Sequence, residues 1–198
     1  MRIPAIEDLT AHHEILASIV ARTSWLPHPK TVAHFKGAVF PTLRYKRGYE
    51  RFAHIENDGA IIGMYDDNAT PEWALFWSHG LTGVRNKGWT IAHVWPASDD
   101  IDAYTHLANL AMVPEALASL TDKNGPLTAF LRWHSWQVYG WKPRSAGDVS
   151  KPGGYDSIEW RYLQEIDDPR AFIRQRFQDR NNERIRILQP IMENHDQF

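Results

Sequence analysis

The sequence predicts an α+β fold, because segments with helical periodicity alternate with short strand-like runs that end in turn residues. Apolar residues recur at helical spacing over 6–22 and again over 127–138. Two β-prone runs, 49–55 and 60–65, flank Glu-Asn-Asp-Gly at 56–59, which is a strong hairpin turn. With 198 residues, 43% hydrophobic and 23% charged, the chain is long enough for one well-buried core.

The composition excludes several classes of protein. The chain has no cysteine, which rules out disulfides, thiolate zinc sites and cysteine nucleophiles. No run of about 18 apolar residues is present, so no membrane-spanning helix is expected. The first twenty residues form an amphipathic stretch with acids and histidines and do not resemble a signal peptide. We therefore expect a cytoplasmic protein.

The remaining elements follow from periodicity and from proline and glycine positions. We expect helices over 31–39 and 115–120, a helix that Gly140 ends, and either a helix or a strand over 71–81. Strands are expected over 89–95, 110–113 and 158–163. Pro169 begins a long C-terminal helix that stops near Pro190. The predicted organisation has three parts: an N-terminal helical and hairpin region (1–85), a core (86–142), and a loop with a basic helix (143–198).

The net charge of −2 conceals an uneven distribution. Residues 30–51 carry six Lys or Arg against one acid, and residues 170–186 carry six arginines against two acids. Residues 99–122 contain five acids and no Lys or Arg. Basic segments on both sides of an acidic one suit a protein that holds phosphates beside a metal ion. Ordinary solvated faces would give the same pattern.

One motif in the middle of the chain carries chemistry. His93 ends a predicted strand, Pro96 follows three residues later, and Asn109-Leu110 begins the next strand after a polar loop. A neutral imidazole is a suitable base for activating water, and a hard cation with oxygen ligands stabilises the charge on a leaving oxygen. The amide of Asn109 can bond the backbone across the loop or offer its oxygen to a metal.

This order of residues over 88–124 resembles the HNH family of nucleases, whose ββα-metal fold clasps one divalent cation between a hairpin and a helix. The resemblance implies a ββα-metal core, a metal-dependent DNA endonuclease activity that leaves a 5′-phosphate, and Mg²⁺ or Mn²⁺ as cofactor. His93 would be the general base. Asn109 would position the loop or the metal.

The chain departs from the family pattern at two places. The acidic residue that usually precedes the histidine is replaced by Ala92, and the usual third motif position falls on Leu117 and Ala118. Asp122 lies one helical turn beyond Ala118, so it is the expected replacement ligand, with Asn124 as second choice. Asn124 precedes a glycine and also suits a plain turn.

Other polar residues have plainer interpretations. His106 can donate to a phosphate, but a solvated loop histidine is the simpler expectation. The acids at 99, 100 and 102 lack the glycine and distal glutamate of a calcium loop and are expected to be solvated. Asp66 and Asp67 follow a strand and are expected to form a turn, although they are acidic enough to attract a cation.

Two groups of basic residues are the expected contacts to double-stranded DNA. On the last helix, spacings of four place Arg170 and Arg174 on one stripe and three further arginines on a second, and such stripes can follow a phosphate backbone or face water. The second group lies near residue 47, where basic residues alternate with tyrosines. The candidate DNA contacts are Arg44, Lys46, Arg47, Arg51, Arg174 and Arg180.

The sequence therefore favours a DNA endonuclease, with restriction as one plausible setting and a homodimer as one plausible state for cutting both strands. The first alternative is an HNH-derived module that has lost its metal ligands and only binds nucleic acid. The second is an enzyme of different chemistry with a pocket in the tryptophan-rich stretch 73–77.

Overall fold

The α+β class is confirmed by a computed structural model of the chain, which describes residues 12–46, 48–82, 88–96, 99–121 and 125–194. The helices within these ranges are α1 (His13–Thr23), α2 (Pro29–Ala33), α3 (Ala69–Trp77), α4 (Ala118–Thr121), α5 (Thr128–Tyr139), α6 (Pro169–Gln178) and α7 (Glu183–Asn194). The strands are β1 (Thr42–Arg44), β2 (His54–Asn57), β3 (Ala60–Asp66), β4 (Trp89–His93) and β5 (Leu110–Pro114). Within these ranges, no helix combines the length and apolar character needed to cross a membrane.

The first sheet has the strand order β1-β3-β2. The turn predicted at 56–59 is confirmed: Asn57 pairs with Ala60, and Asp58 and Gly59 between them have φ values of 50° and 78°. Two consecutive positive φ values are typical of the turn that best matches the twist of a hairpin. Strand β1 pairs with β3 in parallel, which places Arg44 beside Asp66.

The second sheet is the antiparallel hairpin of β4 and β5. The segment between α1 and α2 extends this layer, because Trp25 exchanges two backbone hydrogen bonds of 2.9 Å with Met112. Helix α5 packs behind the hairpin and ends at Gly140 in the left-handed conformation, with φ of 65°, as predicted.

Three shorter predictions are corrected. The strand expected over 49–55 begins only at His54, because the chain turns before it and Phe52 has a φ of 69°. The strand expected over 158–163 is reduced to one bridge between Leu26 and Tyr162. The helix expected over 31–39 ends at Ala33, after which the chain turns so that the Phe40 amide donates to the Thr105 hydroxyl at 2.9 Å.

The predicted long C-terminal helix is wrong, since two helices occupy this part of the chain. Helix α6 ends at Gln178, and α7 begins at Glu183 after Asn182 accepts a hydrogen bond from the Ile185 amide at 3.1 Å. Asparagine is a favoured N-cap, so Asn182 favours the start of a new helix at this position. Pro190, expected near the end of a helix, lies inside α7.

The largest apolar cluster contains side chains from all three segments proposed from the sequence. Val39 and Phe40 come from the first, Leu110 from the second, and Phe177 and Leu188 from the third. The side chain of Phe40 contacts the ring of Phe177 at a centroid distance of 5.9 Å. The hairpin that carries His93 is therefore packed against elements from both ends of the chain.

Candidate functional site

The register of the β4–β5 hairpin determines where His93 points. His93 is opposite Leu110, and Ala92 is opposite Ala111. Successive side chains of a strand point to opposite faces, so His93 shares a face with Ile91 while Ala92 faces the other way. Ile91 packs on the largest core cluster, and Ala92 packs on the cluster beneath α5. The imidazole of His93 is half-buried at the end of the strand.

Asn109 closes the loop that follows His93. Its side chain is completely buried. The Oδ1 atom accepts a hydrogen bond from the Trp95 amide at 2.7 Å, and Nδ2 donates to the carbonyl oxygens of Ala103 at 3.0 Å and Trp95 at 3.4 Å. These bonds end β4 at His93, two residues before the predicted end, because the Trp95 amide bonds a side chain instead of a strand. Asn109 thus takes the loop-positioning role.

The ring of His93 is held by Tyr104 on the same loop. The His93 Nε2 atom lies 2.9 Å from the Tyr104 carbonyl oxygen, and the two rings stack with centroids 5.2 Å apart and planes 8° apart. A carbonyl oxygen only accepts, so Nε2 carries the proton in this arrangement. In the neutral ring the basic nitrogen is then Nδ1.

Tyr104 also connects this loop to the first sheet. Its hydroxyl donates to the Asp67 carbonyl oxygen at 3.2 Å and lies 3.4 Å from the Asn68 side-chain oxygen. Burial raises the pKa of the Tyr104 hydroxyl, and the nearby positive charge of Arg44 opposes part of that increase. The exposed guanidinium of Arg44 therefore lies close to the tyrosine that stacks on His93.

The opposite face of β4, where the family pattern places its metal ligands, is apolar. Ala92 and Ala118 pack on the same cluster as Leu131, and Leu117 packs on a neighbouring cluster. The predicted ligands Asp122 and Asn124 lie outside the described residues. Within the described ranges, no three His, Asp or Glu side chains are grouped so as to hold a metal ion.

The two acidic stretches have different environments. Asp99 and Asp102 are exposed, as expected. The Asp100 side chain accepts a hydrogen bond from the Asp102 amide at 2.9 Å, which shapes the loop. Asp66, in contrast, is completely buried and does not form a plain turn. It accepts two hydrogen bonds from Arg184 Nε at 2.9 and 2.7 Å. Burial raises the pKa of Asp66, and Arg184 opposes that increase.

The predicted basic residues of the first group lie around β1 and the turn before β2. Arg44 is exposed. Lys46 forms an ion pair with Asp99 on the loop after His93, and Arg51 forms one with Asp67 at 2.5 Å. Arg47 lies outside the described residues. Arg44 and Lys46 thus flank the loop that carries Tyr104, whereas Arg51 lies against Asp67 after the end of β3.

The second predicted arginine stripe, Arg176, Arg180 and Arg184, is wrong because the helix is interrupted at 179–182, whereas Arg170 and Arg174 both lie on α6. Arg174 is exposed on α6. Arg180 lies over the rings of Trp73 and Trp77 at 5.8 and 5.2 Å. Arg184 has only 12% of its side chain exposed and pairs with both Asp66 and Asp67, so it is a structural cation.

The two basic segments nevertheless meet in space. Arg184 lies over Phe52 at 5.3 Å and over Trp73 at 4.9 Å, and Arg51 lies over Phe52 at 4.6 Å. With Arg180 over Trp73, these residues form an arginine–aromatic cluster, which we define as Arg51, Phe52, Trp73, Arg180 and Arg184. The cluster joins residues that are more than a hundred positions apart in the sequence.

Sequence reasoning missed Tyr104 and misjudged His106. Tyr104 acts on His93 through its backbone carbonyl, for which a side chain gives no signal. His106 is only 5% exposed and stacks on Trp141 at 4.2 Å, so the expectation of a solvated loop histidine is wrong. Its signal in the sequence was its place immediately before Leu107, where it caps the short 3₁₀ turn Leu107–Asn109.

Comparison with known proteins gives no relative: no protein-family model, no curated protein and no solved structure matches this chain.

Proposed function

We propose that this protein is a DNA endonuclease whose reacting group is His93, on a hairpin similar to that of HNH nucleases. The observation that carries the proposal is the way the loop holds the imidazole. Asn109 fixes the loop at Trp95, near its start, and at Ala103, within it, and the Tyr104 carbonyl then fixes His93 Nε2. A histidine that acts as a general base needs one ring nitrogen held by an orienting hydrogen bond and the other ring nitrogen able to accept a proton.

In the proposed reaction, Nδ1 of His93 takes a proton from a water molecule. The resulting hydroxide oxygen forms a bond to phosphorus, and the bond from phosphorus to the 3′ oxygen of the preceding nucleotide breaks. The leaving oxygen takes a proton from solvent, and the products are a 5′-phosphate and a 3′-hydroxyl. Arg44, exposed beside Tyr104, is placed to contact a neighbouring phosphate of the duplex.

The described residues do not fit a bound Mg²⁺ or Mn²⁺. The strand position that would supply a ligand is Ala92, inside an apolar cluster, and the Asn109 oxygen accepts the Trp95 amide. Magnesium prefers oxygen ligands, above all carboxylates. Asp122 and Asn124 are therefore the residues proposed to hold a metal ion, and the reaction described above involves no metal ion.

Cleavage of supercoiled plasmid tests the role of His93. With Mg²⁺ or Mn²⁺ present, we expect the wild type to convert plasmid to nicked or linear DNA and His93→Ala to be slower by about 10²–10⁴-fold, the usual contribution of a general base. The matched control is His54→Ala, which removes an exposed histidine from β2. Cleavage by His93→Ala at the wild-type rate, with both variants folded to the same melting temperature, would contradict the proposal.

A DNA-binding module without catalysis is the second candidate, and one observation favours it. The apolar packing of Ala92 with Ala118 fills the place between strand and helix where the family pattern has its metal. This candidate predicts that the wild type shifts duplex DNA in a gel but cuts it under no cation. In that case Arg44→Gln weakens binding and His93→Ala does not.

A further inference from the structure

A cleft opens beside the loop that Asn109 closes. Its walls come from the turn at Lys36, the loop at 100–103 and the segment 141–144 after α5, and its volume is about 390 Å³. Small-molecule pockets in proteins have volumes of about 300–1,000 Å³. The cleft is therefore large enough for an organic ligand, and neither His93 nor Asn109 lines it.

His106 supplies a buried donor to this cleft, which we call the His106 cleft. Its Nδ1 atom accepts a hydrogen bond from the Ala108 amide at 3.2 Å, so the neutral ring carries its proton on Nε2. Burial lowers the pKa of His106 to about 4, which keeps the ring neutral near pH 7. Among the described residues no acceptor pairs with Nε2, and this atom is not one of the fully buried polar atoms, although the residue as a whole is 5% exposed. His106 lines the cleft, so a ligand oxygen there can accept the Nε2 proton.

The charges around the cleft select for an anionic group. Lys36 and Arg144 are exposed at the rim and form no ion pair with any described residue. Lys142 is a third cation, 3.0 Å from the Gly147 carbonyl oxygen and 3.9 Å from Asp148. Two carboxylates, Asp100 and Asp102, also line the cleft. The cations outnumber the acids, and the acids offer acceptors for hydroxyl or amino groups.

We propose that the His106 cleft binds a nucleotide through a phosphate monoester, with Lys36 and Arg144 on the phosphate and His106 Nε2 donating to a ligand oxygen. A ligand of this kind has the negative charge that the rim attracts and the hydroxyl or amino donors that Asp102 can accept. An inorganic anion alone would leave most of the volume unfilled. The phosphate monoester can belong to a free nucleotide or to the 5′ end of a DNA strand. The inference is independent of catalysis at His93.

Calorimetric titration of the full chain with thymidine 5′-monophosphate tests this assignment. We expect saturable binding, with thymidine and inorganic phosphate each weaker by about tenfold or more, since each lacks one half of the contacts. Lys36→Gln and Arg144→Gln should each weaken binding about tenfold. The control is Lys151→Gln, an exposed lysine that does not line the cleft, and it should leave the affinity unchanged.

The buried donor needs a variant that keeps the local fold. His106→Asn retains an acceptor for the Ala108 amide, because asparagine is a good cap, and it removes the Nε2 donor. We expect this variant to bind thymidine 5′-monophosphate more weakly and to have an unchanged far-UV circular dichroism spectrum. A 5′-phosphorylated oligonucleotide that competes with the mononucleotide, while its unphosphorylated form does not, would assign the site to strand ends. Competition by neither would assign it to free nucleotides.

Equal binding of thymidine and its monophosphate, no binding of the monophosphate at millimolar concentration, or an affinity that Lys36→Gln and Arg144→Gln leave unchanged would each overturn the inference. Because these titrations involve no cleavage, they separate failure of this site from failure of the nuclease proposal.

Discussion

Asn109 shows how one buried amide can fix the conformation of a loop. Its oxygen and its nitrogen both bond backbone groups, and the three contacts join Trp95, Ala103 and the start of β5. An amide suits this position because it offers an acceptor and two donors on a single planar group. A carboxylate has the same shape but only accepts. The identity of residue 109 therefore determines whether the loop closes.

Replacement of Asn109 by aspartate should destabilise the protein in a pH-dependent way. Both carboxylate oxygens of the new aspartate would be buried, and one of them would face the carbonyl oxygens that accept hydrogen bonds from Nδ2 in the wild type. A buried charge without hydrogen-bond partners costs at least about 3 kcal/mol. Burial would raise the pKa of the new carboxyl above its unfolded value near 3.9. The cost is then absent below pH 4 and grows as pH rises toward the folded pKa.

Urea unfolding of wild type and Asn109→Asp from pH 4 to pH 7 measures this difference. Asn109→Gln is a useful companion, since it keeps the amide but adds a methylene that the buried site must accommodate. A variant with the same difference in unfolding free energy at every pH would show that the side chain at 109 is not buried among carbonyls.

Sequence patterns located His93 and Asn109 but not the group that orients the imidazole. The strand end, the proline and the Asn-Leu pair are local signals, and the hairpin that they predict is present. The Tyr104 carbonyl is backbone, and its position depends on the closed loop rather than on a residue type. The pairing of Asp66 with Arg184 was also invisible, since it joins residues 118 positions apart.

At the scale of elements, the C-terminal helices show a competition between periodicity and capping. Apolar residues continue at helical spacing from Phe172 to Leu188, which predicted one helix. The side chains at two positions override this pattern. Asp168 accepts the Ala171 amide at 2.8 Å and begins α6, and Asn182 accepts the Ile185 amide and begins α7. A second N-cap residue within a periodic stretch is the signal that would have indicated a break.

Asn182→Ala should destabilise α7 by about 1 kcal/mol, the typical cost of removing an N-cap. The lost acceptor leaves the Ile185 amide unpaired in the helix at the turn that presents Arg184 to Asp66. The matched control is Asn181→Ala, which replaces the exposed neighbour and should change the free energy of unfolding by less than about 0.5 kcal/mol. Equal effects of the two replacements in chemical denaturation would show that Asn182 is not the cap.

The hairpins were easier to predict than the strands that follow no turn signal. The turn at 56–59 and the hairpin of β4 and β5 depend on residues close in sequence. The segment at 158–163 is rich in β-formers, yet among the described residues its β-pairing is one bridge, between Tyr162 and Leu26. A strand needs a partner, and the partner's position is a property of the whole chain.

At the scale of the whole molecule, three buried histidines link folding to pH. Burial lowers the pKa of His79 and His106 to about 4 and that of His134 to about 3. His134 lies between two tyrosines, with Nδ1 2.8 Å from the Tyr155 hydroxyl and Nε2 3.1 Å from the Tyr162 hydroxyl. In the unfolded chain each imidazole takes up a proton near pH 6.5.

Stability should therefore fall as pH decreases from about 6.5 toward 4. Over this window the unfolded chain binds up to three more protons at these sites than the folded chain, so the free energy of unfolding decreases by as much as about 4 kcal/mol per pH unit. Above about pH 8 the histidines are neutral in both states and contribute no slope. Measurement of unfolding free energy between pH 5 and pH 8 gives the number of protons directly.

Replacement of one histidine at a time shows which side chain takes up each proton on unfolding. His134→Gln should reduce the slope below pH 6 by one proton, about 1.4 kcal/mol per pH unit, whatever its effect on stability at pH 8. His54→Gln, on an exposed position of β2, serves as the comparison. An unchanged slope in His134→Gln would contradict the assignment of a neutral, buried ring.

The contact between Asp66 and Arg184 has a consequence for how the chain comes to be folded. During synthesis the strand that carries Asp66 leaves the ribosome long before α7 does, and until then the guanidinium that bonds both of its carboxylate oxygens is missing. The first sheet can close over that acid only once residue 184 has arrived. A truncated protein that stops within α6 should accordingly be recovered as an unfolded or aggregated chain, and not as a stable N-terminal fragment.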